Sequence, residues 1–81
     1  VESLTRGLAN EVAREGARVD AVAPGLIATE MAPPDVDRLA ESGVPMGRVG
    51  RPEEVAEAVG RLMSPAARYV TGTAVTVSGG R

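Results

Sequence analysis

The chain of 81 residues is at most one small domain, and its net charge of −2, with 9 basic residues that are all Arg, gives no footprint for nucleic acid. It has no Cys, His or Lys, which excludes from it a thiolate, a Schiff-base amine, a His-assisted nucleophile and a His or Cys metal site. Ala and Val dominate the 43 % hydrophobic content and there is no Phe or Trp, so each side chain buries little area at about 25 cal/mol per Å² and the sequence reads as a piece of a larger core.

Residues 1–15 read as a helix. Val1, Leu4, Leu8 and Val12 recur at helical spacing, with Ala9 and Ala13 beside them, and this stripe reads as core or as subunit interface. Glu2 with Arg6 and Glu11 with Arg14 are spaced to pair on its surface, and Gly16 suits the position just past its end. Val1 already belongs to the periodic pattern with no cap before it, so the helix is expected to begin upstream.

A strand is expected over 18–23, ended by Pro24-Gly25, because proline brings no N–H to a ladder and glycine turns the chain easily. The loop that follows, 24–34, carries Ile27 and Thr29 and ends in Pro33-Pro34. Loops at the carboxyl ends of parallel strands are where open α/β sheets bind ligands. A Pro-Gly turn with a hydroxyl a few residues on is, taken alone, an ordinary way to end a strand.

Asp35 is expected to cap a short helix at 35–42, with Val36, Leu39 and Ala40 inward and Gly43 closing it, as a lid on a Pro-rich loop. Val44 to Gly50 reads as extended or turned. Gly43, Gly47 and Gly50 do not form a dinucleotide glycine pattern, since no strand precedes them and Pro45 interrupts them. The clearest helix is 52–63, with Pro52 at its first position, Glu53 and Glu54 in its first turn, and Val55, Ala56, Val59, Leu62 and Met63 on one face. Arg48 and Arg51 read first as partners of nearby carboxylates, with contact to a phosphate or an acidic carrier as the alternative. Ser64-Pro65 ends the helix and caps a further turn, Thr71-Gly72 turns the chain, and Thr73 to Ser78 alternates as a strand that stops at Gly79-Gly80. The order is helix, strand, lid, helix, strand, and a helical crossover makes the strands parallel neighbours. A two-stranded parallel sheet needs further strands and covered faces, so one strand edge is expected to pair with something outside this chain.

The pieces Leu8-Ala9-Asn10-Glu11-Val12-Ala13, Val19-Asp20-Ala21-Val22-Ala23-Pro24-Gly25 with Thr29 and Met31, Pro45-Met46-Gly47-Arg48-Val49-Gly50-Arg51-Pro52-Glu53-Glu54-Val55-Ala56, Tyr69-Val70-Thr71-Gly72 and Val77-Ser78-Gly79-Gly80 stand in one order. Together they resemble the C-terminal third of the short-chain dehydrogenases/reductases, and most of all the 3-oxoacyl-carrier-protein reductases. The resemblance covers essentially all 81 residues. It implies an α/β fold, the C-terminal portion of a Rossmann-like doubly wound parallel sheet, with residues 1–81 one fragment of a single NAD(P)-binding domain.

The implied activity is hydride transfer between NAD or NADP, with a lean to NADP, and a small-molecule or acyl-thioester carbonyl. Pro24, Gly25, Ile27 and Thr29 would bind the nicotinamide half: backbone at Ile27 contacts the carboxamide, which wants one N–H and one C=O held edge-on. Met31, Leu39 and Met46 would line a substrate lid. The family's Gly-rich turn, Ser and Tyr-x3-Lys pair would precede Val1, so no catalytic residue and no metal ligand falls within this chain, and the chain alone is expected to be inactive. Tyr69 matches a structural tyrosine, not the catalytic one. The family has Asn where Asp20 stands, and a carboxylate only accepts, so Asp20 is expected to accept from backbone or from Arg. A homo-oligomer, dimer or tetramer, is implied. No partner nucleic acid or membrane is expected: no apolar run approaches ~18–20 residues, no secretory pattern is visible, and the lack of Cys suits a reducing, cytoplasmic setting. The alternative is a non-catalytic truncated homologue that acts only by association.

Overall fold

Two parallel strands with one helical crossover between them organise the chain. The computed structural model describes residues 2–81, so the predictions that fall on Val1 lie outside the described residues. Helix α1 spans Glu2–Val12 and tightens into a 3-10 turn at Ala13–Glu15, which Gly16 closes with φ of 83°. Strand β1 is Ala21–Pro24, helix α2 Val36–Gly43, helix α3 Pro52–Leu62 and strand β2 Ala74–Val77, with a 3-10 turn at Pro65–Ala67 before β2.

The strands pair in parallel with Ala21 opposite Ala74 and Pro24 opposite Val77, as the crossover requires. The expected strand 18–23 is displaced to Ala21–Pro24 because side chains replace its first rungs. Val19 N–H donates to the Thr71 hydroxyl at 3.1 Å, and the Asp20 carboxylate accepts from Thr73 N–H at 3.1 Å. Ladder bonds then run from Ala21 N–H to Thr73 C=O and from Gly25 N–H to Val77 C=O, both 2.9 Å. Donation alternates along β1, so the nitrogen of Pro24 faces away from β2 and its missing N–H costs no bond there. Gly25 does not take a positive φ; what requires glycine there is its close approach to Ser78 beyond the end of β2.

Helix α3 starts as predicted at Pro52 and ends at Leu62, with Met63 as its C-cap. Ser64 Oγ accepts from Ala66 N–H at 3.3 Å and so begins the following turn. Arg18 ties this end of the crossover to β1: its guanidinium donates to Leu62 C=O at 2.6 Å, to Val70 C=O at 3.0 Å and to Asp20 Oδ2 at 3.4 Å. A cation on the last carbonyls of a helix is favourable. Asp20 thus accepts from both Arg and backbone.

Packing departs from the expected pattern at all three helices: in α3 no residue is buried, and Ala56, Val59 and Met63 of its apolar face are exposed. In α1 the buried residues are Thr5 and Ala9, while Leu4 is 74 % and Leu8 44 % exposed. The small face packs on the turn at Gly72, where a Cβ would lie 3.5 Å from that of Ala9, and the leucine stripe faces outward. Neither Glu2 with Arg6 nor Glu11 with Arg14 closes as an ion pair among the described residues. In α2, Val36 and Ala40 are buried but Leu39 is not. Asp35 makes no side-chain cap; its carboxylate accepts from Arg38 instead at 3.3 Å, and Val44, not Gly43, is the C-cap.

No side chain larger than valine is buried among the described residues. The radius of gyration is 15.0 Å, against about 12 Å for a compact chain of this length. The accessible surface of 6082 Å² likewise exceeds the roughly 4600 Å² of a compact monomer of 8.3 kDa.

Candidate functional site

Beyond Gly25 the chain leaves β2 and meets a second partner that local sequence does not announce. Ile27 and Gly50 form a parallel bridge: Gly50 N–H donates to Leu26 C=O at 2.9 Å and Gly50 C=O accepts from Ala28 N–H at 2.8 Å. A parallel bridge of this kind uses the groups that flank its central residue. The N–H and C=O of Ile27 itself are left on the opposite side, and neither has a hydrogen-bond partner among the described residues. Gly50 also admits the Ile27 side chain, whose Cδ1 lies 2.8 Å from where a Cβ on Gly50 would be.

The segment 44–50 is fixed at three points. Met46 N–H donates to Gly79 C=O at 3.0 Å, behind which Gly79 and Gly80 take φ of 67° and 101°. A Cβ on Gly79 would lie 2.7 Å from Val44 Cγ1, and one on Gly80 3.1 Å from Pro45 Cβ, so the Gly-Gly turn is a seat for Val44-Pro45-Met46 as well as a strand end. Gly50 supplies the second point. The third is Arg48, which donates to both carboxylate oxygens of Glu54 at 2.7 and 2.8 Å. Glu54 Oε1 also accepts from Arg51 N–H at 3.0 Å, capping α3 from its first turn. The Arg48 hydrogen bonds, and then that of the Arg51 N–H, lower the Glu54 pKa from 4.5 to about 2.

Between these pieces lies a cleft of about 230 Å³, walled by Leu26, Ile27, Met46, Gly50, the Arg48–Glu54 pair and residues 76–79. The structure therefore brings Ile27 and Met46 of the predicted set together, with Pro24 and Gly25 at the strand end beside it. Thr29 stands apart on the exposed loop, its carbonyl accepting from Ala32 N–H at 3.0 Å. Met31, 94 % exposed, and Leu39 do not line the cleft. Tyr69 is fully exposed and remote from it. Gly50, Glu54, Gly79 and Gly80 were not assigned to the site from sequence. A glycine whose partner lies more than twenty positions away leaves no local signal, whereas Glu54 was legible as an N-terminal-turn carboxylate near Arg48. Among the described residues no helix is long and apolar enough to cross a membrane.

The free edge of Ile27 suits a carboxamide: one donor and one acceptor lie side by side on backbone that the bridge holds in place, next to an apolar-walled cleft. The family model for enoyl-(acyl carrier protein) reductase matches residues 1–81. A 3-oxoacyl-[acyl-carrier-protein] reductase from Pseudomonas aeruginosa is 48 % identical over 83 residues, covering 99 % of this chain and 34 % of that protein. Among solved structures, a 3-oxoacyl-[acyl-carrier protein] reductase from Brucella melitensis superposes with a TM-score of 0.90 at 40 % identity, over 98 % of this chain and 31 % of that one. A 4-hydroxyisoleucine dehydrogenase complexed with NADH and succinate gives 0.87 at 28 % identity, over 98 % and 33 %. The chain spans about a third of the length of the curated relatives it matches. Its helices, parallel pair and crossover are part of a Rossmann-like α/β fold, and the chain belongs to the short-chain dehydrogenase/reductase family of oxidoreductases.

Proposed function

We propose that the polypeptide carrying this chain interconverts a carbonyl and an alcohol with a nicotinamide dinucleotide, and that this segment holds the nicotinamide end. The observation that carries this reading is the unpaired N–H and C=O of Ile27, set beside the cleft by the bridge to Gly50. When bound, the nicotinamide supplies or takes the hydride. The chain's own residues orient it: Ile27 N–H donates to the carboxamide oxygen and Ile27 C=O accepts from its nitrogen, which fixes the ring's rotation and hence the face it presents. Backbone does this with less loss of freedom than a side chain, because the bridge has already ordered it.

Thr29, exposed two residues on, offers a hydroxyl to the carboxamide or to the phosphates. Met46 walls the substrate side of the cleft, and the segment carrying Met31 and α2 with Leu39 forms the lid above it. The similarity to 3-oxoacyl-[acyl-carrier-protein] reductases supports a 3-oxoacyl thioester as the carbonyl substrate. One solved relative contains NADH, which supports a nicotinamide cofactor without choosing between NAD and NADP. The outward Leu4 and Leu8 of α1 support contact with a second copy of the protein in a homo-oligomer.

The test is carbonyl-dependent oxidation of NADPH and NADH by the full-length polypeptide, followed by nicotinamide absorbance with a 3-oxoacyl thioester. Oxidation that requires the thioester supports the reading. Absence of turnover with either cofactor, together with absence of dinucleotide binding, sinks it and favours a non-catalytic homologue that acts by association.

A further inference from the structure

We propose that Arg48 is a positioning residue for the nicotinamide loop: its forked bond to Glu54 holds Gly50 in the place from which Gly50 turns the free edge of Ile27 toward the cofactor. The inference rests on the assignment of Ile27 to the carboxamide. Arg48 sits two residues before Gly50, and Glu54 sits four residues after it, in the first turn of α3. The guanidinium reaches both carboxylate oxygens, at 2.7 and 2.8 Å, and so closes the turn 48–54 around Gly50. A two-pronged bond of this kind fixes direction as well as distance. It is reinforced by two more bonds inside the same turn, Arg51 N–H to the Glu54 side-chain Oε1 at 3.0 Å and Glu54 N–H to Arg51 C=O at 2.9 Å.

With the turn closed, the N–H and C=O of Gly50 are presented as a pair to Leu26 C=O and Ala28 N–H. Those two bonds orient the intervening peptide groups. If Gly50 drifts, no other backbone hydrogen bond among the described residues holds Leu26 and Ala28, because the ladder with β2 ends at Gly25. Arg48 also lines the cleft, so a direct contact with a cofactor phosphate is the competing role. The two roles differ in what Glu54 does. As a positioning pair, Arg48 and Glu54 act as one unit; as a phosphate contact, Arg48 acts alone and Glu54 opposes it.

The experiment uses the full-length polypeptide and whichever of NADH and NADPH the wild type binds more tightly. Calorimetry compares that dinucleotide with the matching ADP-ribose, which lacks the nicotinamide ring, for wild type, Arg48→Met, Glu54→Gln, the double variant and Arg48→Lys. Glu54→Gln keeps an acceptor for Arg51 N–H, so the cap of α3 survives. The expected result is a weakening of about three- to tenfold for the dinucleotide in each single variant, with no further loss in the double variant and with ADP-ribose unchanged. Arg48→Lys, which keeps the charge but not the fork, recovers only part of the loss. Equal weakening of dinucleotide and ADP-ribose by Arg48→Met, with Glu54→Gln neutral or tighter, overturns the proposal in favour of a phosphate contact. Unchanged affinity in both single variants overturns it outright. Should Arg48→Met not fold, the milder Glu54→Gln decides alone, since a positioning pair loses its fork in either variant. A wild type that binds dinucleotide and ADP-ribose equally points instead to failure of the Ile27 assignment, before any variant is compared.

Discussion

Gly25 lies so close to Ser78 that a β-carbon on it would sit 2.7 Å from Ser78 Cβ and 2.8 Å from Ser78 Cα. The contact falls one step beyond the last ladder pair, Pro24 with Val77, just where β1 hands over to the loop of Ile27. Since the obstacle includes backbone, relief requires the two strand ends to separate. Gly25→Ala is expected to destabilise the fold by about 1–3 kcal/mol, as overpacking does. Urea unfolding of the full-length polypeptide measures this; an unchanged midpoint would mean that the strand ends yield freely.

Asp20 is the second residue whose role the structure sharpens. Its side chain is only 6 % exposed and accepts from Thr73 N–H and from Arg18. Asp20→Ala leaves Thr73 N–H unpaired at the head of the parallel pair, while Arg18 keeps Leu62 C=O and Val70 C=O, and the expected loss is about 1–3 kcal/mol. Asp20→Asn retains one acceptor for Thr73 and is expected to lose clearly less. Equal losses for the two variants, read from the same unfolding curves, would show that the charge on Asp20 matters more than its place in the ladder.

These two sites show what was legible in the residues. Pro52, Ser64-Pro65 and Gly16 mark ends of elements by local chemistry, and the helices fall at or near where they were expected. The start of β1 was misplaced because the partners of Val19 and Asp20 are Thr71 and Thr73, some fifty positions on, and side chains there stand in for rungs. The leucines of α1 were legible as an apolar stripe, but periodicity cannot say which neighbour covers it, and Thr5 and Ala9 take the inner face. Likewise Ile27 stood out by its place after Pro-Gly, while the residue that orients it, Gly50, carries no signal until the chain is folded.

The seat of Val44-Pro45-Met46 on the Gly79-Gly80 turn gives a further expectation. Gly79 has φ of 67°, and a Cβ there would meet Val44 Cγ1 at 2.7 Å. Gly79→Ala adds backbone strain of about 1–2 kcal/mol and pushes Val44-Pro45-Met46 off the turn. The expected outcome is a higher KM for the carbonyl substrate, with ADP-ribose affinity unchanged. Steady-state kinetics and calorimetry together check it, and an unaltered KM would separate Met46 from the substrate wall.

Acid should find Glu54 late. Its pKa in the folded state is lowered from 4.5 to about 2 by Arg48 and then by the Arg51 N–H. A lowered folded-state pKa means a contribution that is complete above about pH 4.5 and is lost as the pH falls toward about 2. The stability difference between wild type and Glu54→Gln is therefore expected to be flat from neutral pH down to about 4.5 and to shrink below it. A difference that already declines between pH 7 and pH 5 would contradict the pairing, and denaturant unfolding across the pH series reads it directly.

The proposed role of Ile27 is to offer its own backbone edge to a nicotinamide. A crystal structure of the full-length polypeptide with its dinucleotide measures this most directly. The carboxamide oxygen and nitrogen are expected at about 2.7–3.2 Å from Ile27 N and Ile27 O respectively, with the bridge to Gly50 intact. A carboxamide bound elsewhere, with the Ile27 edge still unpaired or turned onto another strand, would contradict it.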